Sequence, residues 1–530
     1  MLFLTLGLVA MWLPLINALF AMVVSLALMA IIGTRLIDVT DWTPQLAAMI
    51  GIGVGIDYAL LILNRFRLER GSGRDVREAT LIALDTSGRA VLFAGIVVVI
   101  AMLGMMLLGI SFLYGPAIGA ALSVLATMGA ALTLMPALLS KIGGRIKPAK
   151  GDGDLADAET GFAARWSGFV ARRPAVVAIG ALAVLLALAA PALNMRLASS
   201  DASTYKKSDT TRVAYDLLKQ GFGAGFNGPL LLAVELPHKG DTAPLQKISA
   251  ALSKQPGIAS VLPPTVNKAG DTATMIAYPT TTPQDERTDD TVRTARNETL
   301  PPIARETGAR ISMGGATATN LDFAQAVRDK LPLFIGVVVG LSLLLLAIVF
   351  RSLLIPLKAG VFNLLSITGA FGVVTLIFQD GHGASLFGGA TGPIESFLPI
   401  MLFAVVFGLS MDYEVFLVSR MHEEWVRTKD AKYAARHGLA MTGRVVTAAA
   451  IIMIAVFGAF AIGNERALAM MGVGFGSAIF IDAFIIRLLL LPAVMHLAGP
   501  AMWWLPSWLD KRLPHLHIER PEQAREPAYA

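Results

Sequence analysis

Apolar runs of roughly 20 residues recur along this sequence, and each has the length of a helix that crosses a lipid bilayer. Lipid offers the backbone no hydrogen-bond partners, so such segments are forced to be helical. We predict crossing helices at 15–33, 43–63, 90–110, 114–140, 175–194, 332–350, 357–378, 397–419, 445–463 and 468–493. Residues 1–12 are predicted to be the end of one further crossing helix. With 15% charged residues, the chain is predicted to be a polytopic α-helical membrane protein of about 11 helices.

Basic residues are concentrated in three segments between the predicted helices, at 64–89, 141–173 and 419–444. Loops rich in lysine and arginine tend to stay in the cytoplasm, and placing all three there agrees with every predicted crossing between them. The C-terminal tail, 494–530, is then cytoplasmic, and residues 195–331 lie on the outer side. These loops account for the net charge of +6, so we predict no nucleic-acid partner.

Two Asp-Tyr pairs mark an internal repeat. Asp57-Tyr58 and Asp412-Tyr413 each interrupt a predicted membrane helix, and the second pair lies 355 positions after the first. The same spacing relates Ser87 to Thr442, Gly88 to Gly443 and Arg89 to Arg444. Internal repeats are common in transporters, whose binding sites lie between the repeats. The sequence therefore predicts two transmembrane pseudo-repeats.

The repeat divides the chain into six predicted segments. These are a first transmembrane block at 1–140 with its leading helix truncated, a cytoplasmic linker at 141–174, a single helix at 175–194, an extracytoplasmic domain at 195–331, a second transmembrane block at 332–493 and the tail at 494–530. Within 195–331, strand and helix patterns alternate in the order βαββαβ. That order predicts an α+β, ferredoxin-like domain. No nucleotide-binding motif is found, so ATP is not the expected energy source.

Asp57 and Asp412 lie deep within their predicted helices. A carboxylate in hydrocarbon costs about 2.5–3.5 kcal/mol on insertion scales, and burial favours its neutral form. Such a group can accept a proton from one side of the membrane and release it to the other. Tyr58 and Tyr413 supply hydroxyl partners, which suit pairing across the two helices because adjacent residues of one helix point about 100° apart.

Small residues precede both acids: Gly53 and Gly55 in the first half, Gly408 and Ser410 in the second. We expect these four residues to let the two central helices approach closely. The alternative to a proton relay is a hydrogen-bonded structural lock between the helices. The relay is favoured because Asn or Ser would provide a lock at a lower cost of desolvation.

Five further residues are candidates for supporting the relay. Glu414 fits a structural role and a relay role equally. For Asp482 and Arg487, an ion pair that stabilises the bundle is favoured over a relay role. For Ser87 and Thr442, helix caps are favoured over proton passage. Because the sequence has no cysteine and its seven histidines lack metal-ligand spacing, we predict no metal, no cofactor other than the coupling proton, and no enzymatic activity.

Several motifs resemble the MmpL family of resistance–nodulation–division (RND) transporters. They are Gly-Ile-Asp-Tyr-Ala-Leu-Leu at 55–61, Leu-Met-Pro-Ala-Leu-Leu at 134–139, Ser-Asp-Ala-Ser at 200–203, Phe-Gly-Leu-Ser-Met-Asp-Tyr-Glu-Val-Phe-Leu-Val-Ser-Arg at 407–420, and 503–514. The resemblance implies proton-driven export of lipids or other hydrophobic molecules across the cytoplasmic membrane. It also implies that Asp57 and Tyr58 face Tyr413 and Asp412, and that 195–331 is a porter domain.

The sequence departs from the family pattern, which has twelve crossing helices and two porter domains, by lacking the first of each. We expect a truncation, and the alternative is a partner or a second copy of the chain that supplies the missing half. Two other functions stay open. One is a membrane sensor or scaffold without transport, as the related sterol-sensing architecture allows, and the other is an accessory of protein translocation.

Overall fold

A computed structural model describes residues 8–33, 40, 42–148, 162–387, 391–463, 465–506 and 508 of the protein. Within its helices, the side chains of residues 8, 9, 162–164, 385, 412, 416 and 444 are outside that description. The described residues form a bundle of long apolar helices and one α+β domain.

The first part of the chain, ahead of the α+β domain, forms seven α-helices in the described residues. They are α1 (Leu8–Gly33), α2 (Thr43–Gly71), α3 (Val76–Ala83), α4 (Arg89–Gly104), α5 (Tyr114–Ile142), α6 (Phe162–Arg172) and α7 (Pro174–Ala189). A π-helical turn at Leu84–Gly88 joins α3 to α4, so the chain is helical from Val76 to Leu108. Short 3₁₀ turns lie at Met105–Leu108, Ser111–Leu113, Gly143–Arg145 and Ala190–Asn194.

The α+β domain follows α7. Its elements are β1 (Leu197–Ala198), α8 (Thr210–Phe222), β2 (Leu230–Glu235), α9 (Ala243–Lys254), β3 (Ile258–Val261), β4 (Thr265–Val266), β5 (Thr272–Pro279), α10 (Glu286–Thr294), α11 (Leu300–Thr307) and β6 (Arg310–Gly314). A 3₁₀ turn lies at Ala202–Thr204 and a π turn at Ala295–Thr299. The main sheet is antiparallel with the order β3-β5-β2-β6, and β4 adds to β5. This is the ferredoxin-like arrangement expected from the βαββαβ order.

One face of this sheet is covered by helices, as its alternating pattern predicts. Leu230, Leu232 and Val234 of β2 are buried while the residues between them are exposed. They pack against α9, α10 and α11 in a core that is separate from the membrane bundle. The domain thus has its own hydrophobic core, although the next helix, Ala316–Phe350, runs unbroken from it into the bundle.

The second half repeats the pattern of the first. Its elements are α12 (Ala316–Phe350), α13 (Leu354–Val374), β7 (Ile394–Glu395), α14 (Leu398–Thr428), α15 (Ala431–Ala461), α16 (Arg466–Phe480) and α17 (Leu491–Ala498). π-Helical segments lie at Thr375–Gln379 and Ile481–Leu490, and 3₁₀ turns at Ala384–Phe387 and Gly499–Trp503. β7 pairs in parallel with β1 and so ties the start of α14 to the start of the α+β domain.

Nine helices in the described residues are long and apolar enough to cross a membrane, and the bent helix α15 raises the number to ten. α15 bends by 46° between Gly443 and Val445. The fold class is therefore confirmed, but the count of about 11 is too high for the described part. From Leu8 onward, the predicted fragment at 1–12 continues without a break into the next span as α1, and residues 1–7 lie outside the description.

The two helices that carry the Asp-Tyr pairs are central. In the most apolar stretches of α2 and α14, 83% and 100% of the residues are buried. In the most apolar stretches of α7 and α12, only 17% and 28% of the residues are buried. α2 and α14 therefore lie inside the bundle, and α7 and α12 lie at its periphery where lipid would surround them.

Candidate functional site

A hydrogen bond between the two repeats lies at the centre of the bundle. The hydroxyl of Tyr413 on α14 donates to Oδ1 of Asp57 on α2 over 2.8 Å. Asp57 is 1% exposed and Tyr413 is 4% exposed. The same hydroxyl lies 3.7 Å from the sulfur of Met453 on α15. Asp57 and Tyr413 thus face each other, as the family resemblance implies, whereas their role in a relay stays a prediction.

The second carboxylate oxygen of Asp57 is chemically the more informative one. Oδ2 is buried and has no hydrogen-bond partner within the described part of the chain. A buried carboxylate oxygen without a partner is costly when charged and much less so when it carries a proton. The neighbouring Tyr58 is fully buried. The side chain of Asp412, predicted to pair with it, lies outside the described residues.

Four buried charged residues form a cluster directly beside Tyr413. We call Lys358, Glu414, Asp482 and Arg487 the charged cluster; each is at most 8% exposed. Lys358 Nζ donates to Glu414 Oε1 over 2.7 Å, and Arg487 contacts Glu414 Oε2 at 3.4 Å and Asp482 Oδ2 at 2.8 Å. The Arg487 guanidinium also lies 5.5 Å from the ring centre of Tyr413. Two cations and two acids can thus balance each other next to the Asp57 partner.

Local helix geometry makes the pair between Asp482 and Arg487 possible. Residues five apart in an α-helix point about 140° apart, because the helix has 3.6 residues per turn. Both residues lie in the π-helical segment Ile481–Leu490, whose backbone hydrogen bonds join residues five apart, so such residues point in more similar directions than in an α-helix. The π segment therefore brings the two side chains to one face, and the ion pair favoured from the sequence is present.

Polar residues of the preceding helices contact matched positions in the two repeats. In the second half, Ser410 donates to Asn363 on α13, and Arg487 donates to both the hydroxyl and the carbonyl of Ser410. In the first half, Asn17 on α1 donates to the carbonyl of Gly55 over 3.5 Å. Gly55 and Ser410 are equivalent under the 355-residue spacing, so each lies two residues before its acid and beside an asparagine.

The small residues before the acids allow close approach, but the partners differ from those expected. A Cβ on Gly53 would lie 2.9 Å from Phe457 of α15, and one on Gly408 would lie 3.1 Å from the Val98 backbone of α4. Gly55 closely approaches α1 and α5, and Ser410 is occupied by the polar contacts above. The expectation that these residues bring α2 and α14 together is therefore wrong. They fit each central helix against its neighbours.

The interpretation of Ser87 and Thr442 as helix caps is also wrong. Ser87 lies in the π turn between α3 and α4, inside a continuous helical segment. Thr442 lies in the interior of α15, where its hydroxyl donates to the carbonyl of Gly438 over 2.7 Å. Both helices begin well before the apolar runs, at Val76 and Ala431, because the polar residues ahead of those runs are helical too.

A buried arginine joins the membrane helices to the α+β domain. Arg466, the first residue of α16, donates to Ser200 just beyond β1 and to the carbonyls of Phe378, Gly392 and Pro393. The backbone N–H of Ser200 in turn donates to Glu395 of β7 over 3.0 Å. Burial raises the pKa of the Glu395 carboxyl, although the Ser200 contacts and the Arg466 charge oppose that shift. Together with the pairing of β1 and β7, these contacts connect α14 to the α+β domain.

Comparison with known proteins agrees with this arrangement. The sequence profile of the MMPL family matches residues 1–177 and 236–517. The chain belongs to the MMPL family. Membrane protein YdfJ of Bacillus subtilis is 37% identical to it over 97% of this chain and 70% of its own length. The mycolic acid-containing lipids exporter MmpL11 of Mycolicibacterium smegmatis is 34% identical, over 97% of this chain and 55% of its own.

A further relative and a solved structure complete the comparison. The trehalose monomycolate exporter MmpL3 of Mycobacterium tuberculosis is 27% identical, over 91% of this chain and 55% of its own length. The chain thus spans about half the length of the two mycobacterial proteins. A crystal structure of SecDF, a translocon-associated membrane protein from Thermus thermophilus, has a TM-score of 0.54 at 15% identity, covering 94% of this chain and 60% of that one. That likeness is one of fold alone.

Sequence reasoning missed Lys358, Asn363 and Arg466 in this MMPL protein. Lys358 lies at the second position of a predicted span, where a lysine normally extends to the membrane surface. The helix instead begins earlier, at Leu354, and Lys358 is buried. Asn363 carried a usable signal, because a polar side chain in the middle of an apolar run is costly without a partner. Arg466 lies two residues before a predicted span, and its contacts come from distant segments.

The glycine contacts give a first prediction. Replacing Gly408 with Ala should destabilise the protein by about 1–3 kcal/mol, since the new methyl group would lie 3.1 Å from the Val98 backbone, closer than an ordinary van der Waals contact. Gly476→Ala is the matched control, because a Cβ there meets nothing within 4 Å. Unfolding by sodium dodecyl sulfate, followed by circular dichroism, measures both. Equal stability of the two variants would show that α4 and α14 are not in close contact at Gly408.

Proposed function

We propose that this MMPL protein is a transporter of the RND type that exports lipids or other hydrophobic molecules, driven by the proton-motive force. The observation that carries the proposal is the hydrogen bond between Asp57 and Tyr413, which connects the two repeats through a titratable group deep in the bundle. The exporter names of the mycobacterial relatives support a lipid as the substrate class. Transport by the whole protein is part of the proposal, because the chain covers 55% of those relatives.

In the proposed cycle a proton from the outer side neutralises Asp57. Charged Asp57 holds the Tyr413 hydroxyl in a strong, charge-assisted hydrogen bond, and protonation weakens this bond. The helices α2 and α14 then shift relative to each other. Because α14 continues from β7, and β7 pairs with β1, the shift is passed to the α+β domain. Release of the proton to the cytoplasm restores the first arrangement.

Several features of the proposed assembly follow from the same argument. The protein lies in the cytoplasmic membrane with residues 195–331 outside and its C-terminus inside, as the basic loops indicate. A proton is the only coupling partner, without a further cofactor, and the protein transports rather than catalyses a reaction. A second copy of the chain or a partner protein supplies any further porter domain that export requires.

The proposal is tested by proton flux in proteoliposomes that contain the purified chain. With an acidic outside, labelled phosphatidylglycerol on one leaflet should accelerate proton entry, reported by an internal pH dye, as the lipid is moved. A sensor or scaffold would show no lipid-dependent flux. An accessory of protein translocation would instead show reduced protein secretion when its gene is deleted, with normal lipid distribution.

The Tyr413 hydroxyl gives a second prediction. Tyr413→Phe keeps the ring beside Arg487 but removes the donor to Asp57, so lipid-coupled proton flux should fall about tenfold, corresponding to roughly 1–2 kcal/mol for a hydrogen bond to a charged group. Tyr114→Phe, at the start of α5, is the matched control and should retain full flux. Wild-type flux in Tyr413→Phe would remove this hydroxyl from the mechanism.

A further inference from the structure

Arg466 occupies the boundary between the membrane helices and the α+β domain. It is 8% exposed, and its guanidinium donates to three backbone carbonyls of the bundle, those of Phe378 at 3.2 Å, Gly392 at 2.7 Å and Pro393 at 2.9 Å. It also donates to the hydroxyl of Ser200 in the α+β domain over 2.7 Å. The rigid, planar guanidinium has five N–H donors, so one side chain can hold acceptors from several segments at once. Arg466 therefore binds both parts of the protein.

A buried acid lies on the other side of Ser200. Glu395 of β7 is 6% exposed and accepts from the backbone N–H of Ser200 over 3.0 Å. Ser200 thus lies between a buried cation and a buried carboxyl group, because its hydroxyl accepts from Arg466. A buried charge that loses its compensation is costly, so these three residues are expected to move together.

The helix that begins at Arg466 also reaches the proposed proton site. Residues Arg466–Trp503 form one continuous helical span. Arg487 lies 21 positions after Arg466, about 30 Å away along a helix that rises 1.5 Å per residue. Its guanidinium lies 5.5 Å from the ring centre of Tyr413, the residue that donates to Asp57. One helical span therefore contacts the α+β domain at its outer end and the partner of Asp57 farther in.

The contacts of Arg466 add to a short backbone connection. β1 and β7 pair over two residues in each strand, which is little contact for a strand pair that passes a movement to a whole domain. Hydrogen bonds from a charged donor are roughly twice as strong as neutral ones. A rigid helix that is held at both ends can pass a displacement from one end to the other. The span that starts at Arg466 meets this condition.

We propose that Arg466 is the positioning residue through which the state of the Asp57–Tyr413 pair controls the position of the α+β domain. When Asp57 is neutralised, Tyr413 shifts together with Arg487, which lies beside its ring. The helical span moves with Arg487, and Arg466 at its outer end displaces Ser200 and the start of the α+β domain. This inference rests on the proposed transport function, for which it names the residue that links the proton site to the domain.

A distance between two spin labels tests the inference, because the sequence has no cysteine and introduced cysteines are labelled specifically. Glu298→Cys places one label on the α+β domain, and Ile462→Cys places the other at the end of α15, where both native side chains are exposed. In the full chain in detergent, adding Asp57→Asn should shift the distance distribution, since the amide mimics the neutral acid. The shift should be lost when Arg466→Met is also present, because methionine has a similar length but no donor.

Two milder variants serve if Arg466→Met does not fold. Arg466→Lys keeps the positive charge but not the planar fork, and Ser200→Ala removes the acceptor in the α+β domain while the carbonyl contacts stay. Each should reduce the shift caused by Asp57→Asn by at least about twofold. Arg293→Met, which breaks an exposed pair with Asp290 at 3.2 Å, is the matched control and should keep the full shift.

The outcomes separate coupling from a purely structural role. A structural role of Arg466 would lower the unfolding midpoint of its variants and leave their response to Asp57→Asn unchanged. A full shift in both Arg466→Lys and Ser200→Ala, or no shift on Asp57→Asn in the otherwise native chain, would overturn the inference. If the shift depends on Arg466 but proteoliposomes show no lipid-dependent proton flux, the exporter proposal fails and the coupling stands. If the flux depends on Asp57 while the shift does not depend on Arg466, the coupling fails and the exporter proposal stands.

Discussion

Replacing Asp57 with Asn should lower lipid-coupled proton flux by about 100-fold or more, the range expected when an essential proton-transfer group is lost. The amide has nearly the same size as the carboxylate, and its oxygen still accepts the hydrogen bond from Tyr413. It cannot exchange a proton at any pH of the assay. Flux and lipid transfer, measured together in proteoliposomes with an acidic outside, should therefore be lost together.

The control for Asp57→Asn must show that the protein is otherwise intact. Its unfolding midpoint should equal or exceed that of the wild type, since the substitution removes a buried charge. Asp380→Asn, which changes an exposed carboxylate just after the helix that begins at Leu354, should keep full flux. Asp412→Asn is expected to behave like Asp57→Asn on the basis of the repeat. Undiminished export in both membrane variants would exclude a proton relay through these acids.

The membrane helices could be predicted because their signal is long and uniform. A run of about 20 apolar residues has few alternatives to a crossing helix. The spacing of 355 residues between Asp57 and Asp412 likewise placed the two acids at equivalent depths in central helices. The helix ends were harder to predict, because Val76–Gly88 and Ala431–Arg444 are polar and yet helical. Hydropathy alone therefore placed Ser87 and Thr442 at helix starts, although both lie inside helices.

Side-chain partners depended on information that sequence patterns do not contain. A glycine at position 408 indicates that another helix approaches closely there. Whether that helix is α2 or α4 depends on the arrangement of all the helices in the bundle. An ion pair of Asp482 and Arg487 was predicted from their residue types, but the π-helical segment that brings the two side chains together is rare and has no reliable sequence signal. From its position near the start of a predicted span, Lys358 could not be distinguished from a lysine that extends to the membrane surface. Its burial is a result of where α13 begins relative to Glu414 on α14.

The charged cluster gives the last prediction, which concerns stability. Arg487 is 1% exposed and contacts Glu414, Asp482 and Ser410. Arg487→Leu leaves two buried acids with one cation, Lys358, so it should destabilise the protein by about 3–5 kcal/mol. Asp482→Leu should also destabilise it, because Arg487 then lacks its shorter ion pair. Unfolding by sodium dodecyl sulfate measures each variant.

The double variant distinguishes an ion-pair network from independent packing contacts. Arg487→Leu with Asp482→Leu removes one cation and one acid together and leaves Lys358 paired with Glu414 at 2.7 Å. Its loss of stability should therefore be smaller than the sum of the two single losses by about 1–3 kcal/mol. The same cycle at Lys247 and Glu306, an exposed pair in the α+β domain, should give a coupling of at most about 1 kcal/mol. Simple additivity at Arg487 and Asp482 would mean that their charges do not compensate each other, and Glu414 would then be the acid that neutralises Arg487 beside Tyr413.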